Sequence, residues 1–380
     1  MGIYFHKMIM RKKLLITVCG ALLSLVSCKH AQEKLPLWEM PEASKEELSV
    51  ESSLTLQENM DFLGKSVNNF AVLTDSSFLV AGDRKLIIYS SAGKQIGKIG
   101  SVGNGPFQYS YPDAIYVSDK YVYVFSRFQR KLFVYDKMGV PVRDYDLPCQ
   151  NVDEIAVCRD SLIACLYDGT EDDKTIEVFD LSSLKSLATI RQNKEEDMLL
   201  YLRIRAGGLC TTDDKIYGCR PSQLGVYAID LNNPQDEVKE WAYADDDFKV
   251  TPIEGSAYEI INTDRKFAID YVFSNSLVTQ VDVWDNALYL LAETGKYALD
   301  ADGTWQSGSR NLKIYQIDLA SGHPLHTCQL EYPEHGTLAK LQEGNLYLFR
   351  ATFTEDDMEI SMDKIPLAKV TPERGETENS

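Results

Sequence analysis

Asp119-Lys120-Tyr121-Val122-Tyr123-Val124-Phe125, followed after a short polar connection by Leu132-Phe133-Val134-Tyr135-Asp136 and Gly139, is the stretch that decides the fold. Val, Tyr and Phe suit a pleated, packed surface, and two such runs bounded by turn residues read as paired strands. Residues 121–125 do not alternate apolar with polar, so they belong to a strand covered on both faces. Beyond Gly139 a further strand runs from Val140 to Leu147.

Working outward, the same order recurs: an acidic or polar turn, a strand, a second strand that usually ends in an acidic residue, and a small-residue turn. Asp75 leads into Phe78-Leu79-Val80 and Leu86-Ile87-Ile88-Tyr89. Asp160 leads into Leu162-Ile163-Ala164-Cys165 and a strand ending at Asp180. Asp214 leads into Ile216-Tyr217 and a strand ending at Asp230, and Asp285 into Leu288-Tyr289-Leu290-Leu291 and a strand ending at Asp318. Glu343-Gly344-Asn345 opens the last and weakest copy. Six copies with turn-to-turn spacings of 44, 41, 54, 71 and 58 residues are the pattern of a β-propeller, whose radial repetition leaves only short sheet edges. The fold expected is all-β: six blades, each a four-stranded antiparallel sheet. Because the last copy lacks an obvious outer strand, an N-terminal strand within residues 48–56 is expected to close the ring. Inserts at about 191–208, 245–275 and 293–311 break the period; such inserts gather on one face, and loops are where binding concentrates.

The loop Ile99-Gly100-Ser101-Val102-Gly103-Asn104-Gly105-Pro106-Phe107, with Tyr111-Pro112, Ile115-Tyr116-Val117 and the turn from Val134-Tyr135-Asp136 to Gly139, resembles the six-bladed propeller lipoproteins of Bacteroidetes-type bacteria, related to TolB-like and NHL-repeat propellers. The resemblance is clearest over about residues 60–150, recurs faintly over 285–360, and is lost over 191–275. It implies that the Gly-rich loop joins an outer strand to the next blade's innermost strand. The residues agree, since a phosphate cradle would open a helix and this loop precedes a strand.

The N-terminus reads as an address. Arg11-Lys12-Lys13 precede an uncharged, largely apolar run from Leu14 to Val26, too short to span a bilayer, and then Leu25-Val26-Ser27-Cys28. The tetrad resembles a lipobox, which implies cleavage before Cys28 and acylation of that residue, hence membrane attachment through lipid. The divisions expected are a lipoprotein signal peptide over 1–27, a lipidated tether over 28–46, the propeller over 47–370 and a disordered tail over 371–380. The location expected is the cell envelope, at the outer membrane, with the face undetermined.

Removing residues 1–27 takes four Lys and Arg and no acid, leaving 35 basic against 57 acidic side chains, a net charge of −22. A body this acidic argues against a nucleic acid partner. After cleavage only His30, His323, His326 and His335 remain, too localised to build a histidine metal site from several blades. His323 and His326 have metal-compatible spacing, with a surface pair the favoured reading. Acidic groups at Glu171-Asp172-Asp173, Asp245-Asp246-Asp247 and Glu355-Asp356-Asp357 read first as solvated loop tips and second as calcium ligands. Asp300 and Asp302, in Asp300-Ala301-Asp302-Gly303, are weak metal candidates on a hairpin turn. No Gly-x-Ser-x-Gly or Cys-x-x-Cys motif occurs. Cys158 with Cys165, and Cys210 with Cys219, could pair across hairpins or remain buried thiols. No catalytic residue and no cofactor is assigned, with calcium as the one cofactor considered. The function expected is a non-enzymatic envelope lipoprotein that binds a protein partner or an extracellular ligand such as a glycan. The alternatives are a calcium-dependent hydrolase or lyase with a carboxylate-bound ion at the channel mouth, as in lactonase-type propellers, and a structural role in envelope assembly.

Overall fold

Runs of β-branched and aromatic residues between acidic turns build six four-stranded antiparallel sheets in a computed structural model. It describes residues 37–44, 48–57, 67–74, 77–82, 84–170, 173–203, 206–234, 236–299, 305–306, 310–331, 338–353 and 358–368. Two strands precede the first complete sheet, β1 (Leu37–Glu39) and β2 (Ser52–Leu56). Blade one is β3 (Val67–Thr74), β4 (Ser77–Gly82), β5 (Lys85–Ser90) and β6 (Gln95–Lys98). Short parallel strands β7 (Ser101–Val102) and β8 (Gln108–Tyr109) then lead to blade two: β9 (Ala114–Val117), β10 (Tyr121–Ser126), β11 (Lys131–Asp136) and β12 (Pro141–Asp146). Blade three is β13 (Val152–Cys158), β14 (Leu162–Tyr167), β15 (Lys174–Asp180) and β16 (Ser186–Arg191).

After helix α1 (Glu195–Leu200) comes blade four, β17 (Gly208–Thr211), β18 (Lys215–Cys219), β19 (Gly225–Asp230) and β20 (Lys239–Ala244). Helices α2 (Ala257–Thr263) and α3 (Arg265–Ser274) precede blade five, β21 (Leu277–Trp284), β22 (Ala287–Thr294), β25 (Asn311–Asp318) and β26 (Pro324–Glu331), which carries a hairpin of β23 (Ala298–Leu299) and β24 (Trp305–Gln306). Blade six has β27 (Leu338–Gln342), β28 (Asn345–Phe353) and β29 (Met358–Pro366). Its fourth, outermost strand is β2, antiparallel to β29 from Ser52 opposite Lys364 to Leu56 opposite Ile360. The closing strand lies where the sequence suggests.

The N-terminal segment does more than close the ring. β1 adds a fifth, parallel strand to the outer edge of blade four, and Ser44 bridges to Cys328 on blade five's outermost strand. The chain therefore crosses the rims of blades four, five and six as a belt. This corrects the division at residue 46: Leu37 to Ser44 belong to the propeller, because β20 and β26 offer edge N–H and C=O groups that the segment satisfies. The same segment also engages the histidine pair. His323 stacks on Trp38 with ring centroids 4.3 Å apart and 3° between planes, and His326 Nε2 lies 3.1 Å from Ser44 Oγ; both residues hold the belt. Residues 1–36 and 371–380, with Cys28 and the signal segment, lie outside the described residues.

The repeated aspartates have a structural explanation. Those ending the third strand of a blade accept hydrogen bonds from the turn that follows. Asp136 takes the Met138 and Val140 N–H groups, Asp180 the Ser183 N–H and both serine hydroxyls, Asp230 the Asn232 N–H, and Asp318 the Ser321 N–H. Such carboxylates replace a missing backbone partner at a tight turn. These bonds pull the Asp180 carboxyl down to about 2 and lower that of Asp318. Asp160, at a first-to-second-strand turn, instead reaches back to blade two, accepting from the Tyr123 hydroxyl at 2.8 Å.

Candidate functional site

Antiparallel strands alternate direction, so connections between a blade's second and third strands lie at the same end as connections from one blade to the next. Every insert uses that end: β7–β8, α1, α2 with α3, and β23–β24. Among the described residues, the connections at the other end carry no helix or strand of their own. The ring thus has an insert face and a turn face, as the spacing irregularities imply.

Along the axis the innermost strands approach closely. A Cβ on Gly208 would stand 2.8 Å from Val281 N and 2.9 Å from Gln280 Cα, so only glycine lets β17 and β21 meet. Two glutamines bind neighbouring innermost strands together. The Gln280 amide donates to Leu341 O and accepts from Leu341 N, both at 2.7 Å. The Gln342 amide accepts from Val72 N at 2.8 Å and donates to Val72 O at 3.2 Å. Each mimics a peptide group and satisfies an edge residue that has no strand beside it. What remains open at the insert end is a cavity of about 30 Å³ lined by Asn69, Asp153, Glu154, Gly207, Thr279, Gln280 and Ala339, roughly one water in size.

Around this mouth stands a polar cluster with bonding capacity left over. Arg127 donates from Nη1 to Asp168 at 3.1 Å and from Nη2 to the Val152 carbonyl at 3.1 Å, and its backbone N–H donates to Asp113. Burial raises the Asp113 carboxyl, against the Arg127 backbone N–H and charge. Asp153 lies 4.0 Å from the same guanidinium. Glu154 accepts from Leu209 N at 2.9 Å. Three buried atoms here have no hydrogen-bond partner among the described residues: Asn69 Oδ1, Arg127 Nε and the Tyr201 hydroxyl. Burial pushes that hydroxyl well up, as do the negative charges of Asp197, Asp153 and Asp168.

The inserts are held by their own ionic anchors. Glu293, at the end of β22, accepts from Arg310 Nη2 at 2.9 Å and from Arg203 Nη2 at 3.0 Å, and Arg203 also donates to the Tyr297 hydroxyl at 2.7 Å. Arg310 is wholly buried and donates to the carbonyls of Asn275 and Gly295. Burial alone would raise the Glu293 carboxyl, but the two guanidiniums outweigh it and the net shift is downward. Asp197 accepts the N–H of Lys194 at the start of α1 and that of Ser222 in blade four. Leu199, Leu200, Ala257, Ala268 and Tyr271 form a small core among the helices. On the same face several apolar side chains remain uncovered, among them Phe128 at 86 % and Tyr258 at 65 % exposure.

The turn end of the channel is closed differently. Tyr116 reaches from blade two to Thr211 of blade four at 3.0 Å, beside a cleft of about 340 Å³ lined by Asp119, Lys120, Arg159, Asp160 and Asp213. Nearby Asp282 accepts from Glu343 N at 3.2 Å, and burial pushes its carboxyl up to about 7.

Several sequence candidates resolve here. Asp245 and Asp247 both take Lys313 Nζ, at 2.9 and 2.8 Å, and Asp245 also takes the Tyr315 hydroxyl; this acidic run is an ion pair with blade five. Asp300, Asp302, Glu171, Asp172, Glu355, Asp356, Asp357, His30 and His335 lie outside the described residues. Among the described residues no three His, Cys, Asp or Glu side chains gather as a metal-binding group. Cys158 and Cys165 sit on opposite faces of blade three, in different clusters, because Cys165 pairs with Ile155, three residues from Cys158. Cys219 pairs with Gly208 and Cys210 with Tyr217, two rungs apart. All six described cysteines are buried. Arg127, Tyr201, Gln280 and Gln342 carry no sequence signal, since their roles depend on how blades meet.

Six four-stranded blades agree with the family pattern described as "6-bladed beta-propeller", DUF5128, which matches residues 43–239, just over half of the 380. The chain belongs to DUF5128. Two Bacteroides structures share the DUF5128 chain's fold. One, from Bacteroides fragilis and provisionally described as exported, is 12% identical with a TM-score of 0.57 over 87% of this chain and 99% of its own. The other, a duf4221 family member from Bacteroides vulgatus, is 13% identical with a TM-score of 0.57 over 85% and 99%. A search of curated proteins finds no match.

Proposed function

We propose that this DUF5128 propeller is a non-enzymatic envelope lipoprotein, attached by an acylated Cys28 at the outer membrane, whose insert face binds a protein partner or an extracellular glycan. The observation that carries this reading is the coincidence on one face of all the inserts, the exposed Phe128 and Tyr258, and a polar mouth where Asn69, Arg127 and Tyr201 keep unpaired atoms. Arg, Asp and Asn beside aromatic rings suit a ligand rich in hydroxyls, and uncovered aromatics suit a protein surface. The net charge of −22 disfavours nucleic acid. Export fits the lipobox-like tetrad, and the Bacteroides fragilis fold relative is described as exported.

The test uses the mature acylated chain on a glycan array and in affinity capture from envelope extracts, beside Phe128→Ser and Tyr258→Ser variants. Binding weakened at least tenfold by either substitution supports the reading. Binding unaffected by both, or turnover of a substrate by the purified protein, overturns it. Palmitate labelling lost in Cys28→Ser checks the anchor separately.

A further inference from the structure

We propose that Cys149 and Cys165 are joined by a disulfide in the exported protein. Cys149 lies in the connection from blade two to blade three, and Cys165 lies on β14. Their sulfurs are 3.8 Å apart, and both residues are buried in one cluster with Val152, Ile155, Ile163 and Tyr167. A disulfide needs about 2.05 Å between sulfurs. The remaining gap of roughly 1.8 Å is within the reach of side-chain rotation. Cys158, Cys219 and Cys328 instead approach backbone carbonyls, those of Thr212, Gly208 and Ile314.

The position matters to the mouth. The residues following Cys149 carry Asn151, whose carbonyl accepts from Asp168 N at 3.0 Å, then Val152, whose carbonyl binds Arg127, then Asp153 and Glu154. A bond to β14 would fix the strand that presents those carboxylates. Formation takes two protons and two electrons from the thiols. One thiolate attacks the disulfide of an envelope dithiol-disulfide oxidant, and the second displaces the mixed disulfide, leaving the oxidant as its dithiol. Because both thiols are buried in the folded chain, exchange occurs before blades two and three pack. The inference rests on the export reading, since such bonds persist in oxidising compartments.

Peptide mapping of mature protein taken from the envelope, alkylated under denaturing, non-reducing conditions, is the decisive measurement. The expected result is a Cys149–Cys165 linked peptide about 2 Da lighter than its two parts, released by dithiothreitol, with the other four cysteines alkylated. Reduction should lower the melting temperature by about 5 °C. Refolding the reduced chain in a glutathione buffer tests the geometry independently of compartment, and the same link should form. Free thiols at both positions in both preparations, or either cysteine linked elsewhere, overturn the proposal. A link in refolded protein alone overturns it through its export premise, leaving the geometry standing.

Discussion

The two faces of the ring use their polar groups in opposite ways. On the turn face the acidic residues are committed to the fold: Asp136, Asp180, Asp230 and Asp318 hold turns, and Asp160 holds blade two to blade three. On the insert face Glu293, Arg310 and Arg127 occur once each and take partners from distant segments, and Asn69, Arg127 and Tyr201 keep atoms still unpaired. Repetition therefore marks architecture, and departure from it marks the surface that can recognise something. Acidity alone distinguishes neither.

This contrast can be broken by substitution. Glu293→Ala should be the most damaging change, because it strands two guanidiniums, one fully buried; a loss of about 3–5 kcal/mol, read from urea unfolding, is expected. Gln280→Ala leaves both backbone groups of Leu341 unpaired and should cost about 2 kcal/mol in the same assay. Asp282→Asn tests the turn end of the channel by its pH dependence. With its carboxyl raised to about 7, wild-type Asp282 favours the folded state fully only below its unfolded value near 4, and that contribution is lost as pH rises through 7. The variant should lack this slope, by about 1 kcal/mol, the full shift being discounted because Asp282 keeps some solvent contact.

Asp180→Asn should have the smallest effect. Its carboxyl, lowered to about 2, adds stability above its unfolded value that disappears as pH falls from about 4 towards 2; the variant should differ from wild type only by a shallower acid limb in melting temperature against pH. A turn-face substitution costing more than Glu293→Ala would reverse the comparison.

Much of the fold was legible because six blades impose one local grammar. Asp119, Asp160 and Asp285 mark turns between strands whose residues carry their own β-propensity, and the missing outer strand of blade six pointed to residues 48–56. What could not be read depends on meetings between segments far apart. Leu37-Trp38-Glu39 is too short to signal a strand, and its partner β20 lies about 200 residues later. Gln280 and Gln342 look like ordinary polar strand residues until a neighbouring edge is beside them. The sequence left the cysteines open between hairpin pairs and buried thiols, because spacing alone does not show the strand alternation that places Cys158 and Cys165 on opposite faces. The candidate site was legible only as irregular spacing: the inserts announced a face, but not Arg127, Asp153 or Tyr201.

The belt of residues 37–56 has a consequence for how the chain reaches its native state. This N-terminal segment finds its partners late in the chain, in β20, β26 and β29, with Ser53 bound to Asp363 across 310 positions of sequence. Such long-range pairing is slow to form, because the entropy of closing the largest loop must be overcome before any contact rewards it. Until the last blade has been made, β2 has no strand to join. The ring therefore closes late, only after β29 has been made.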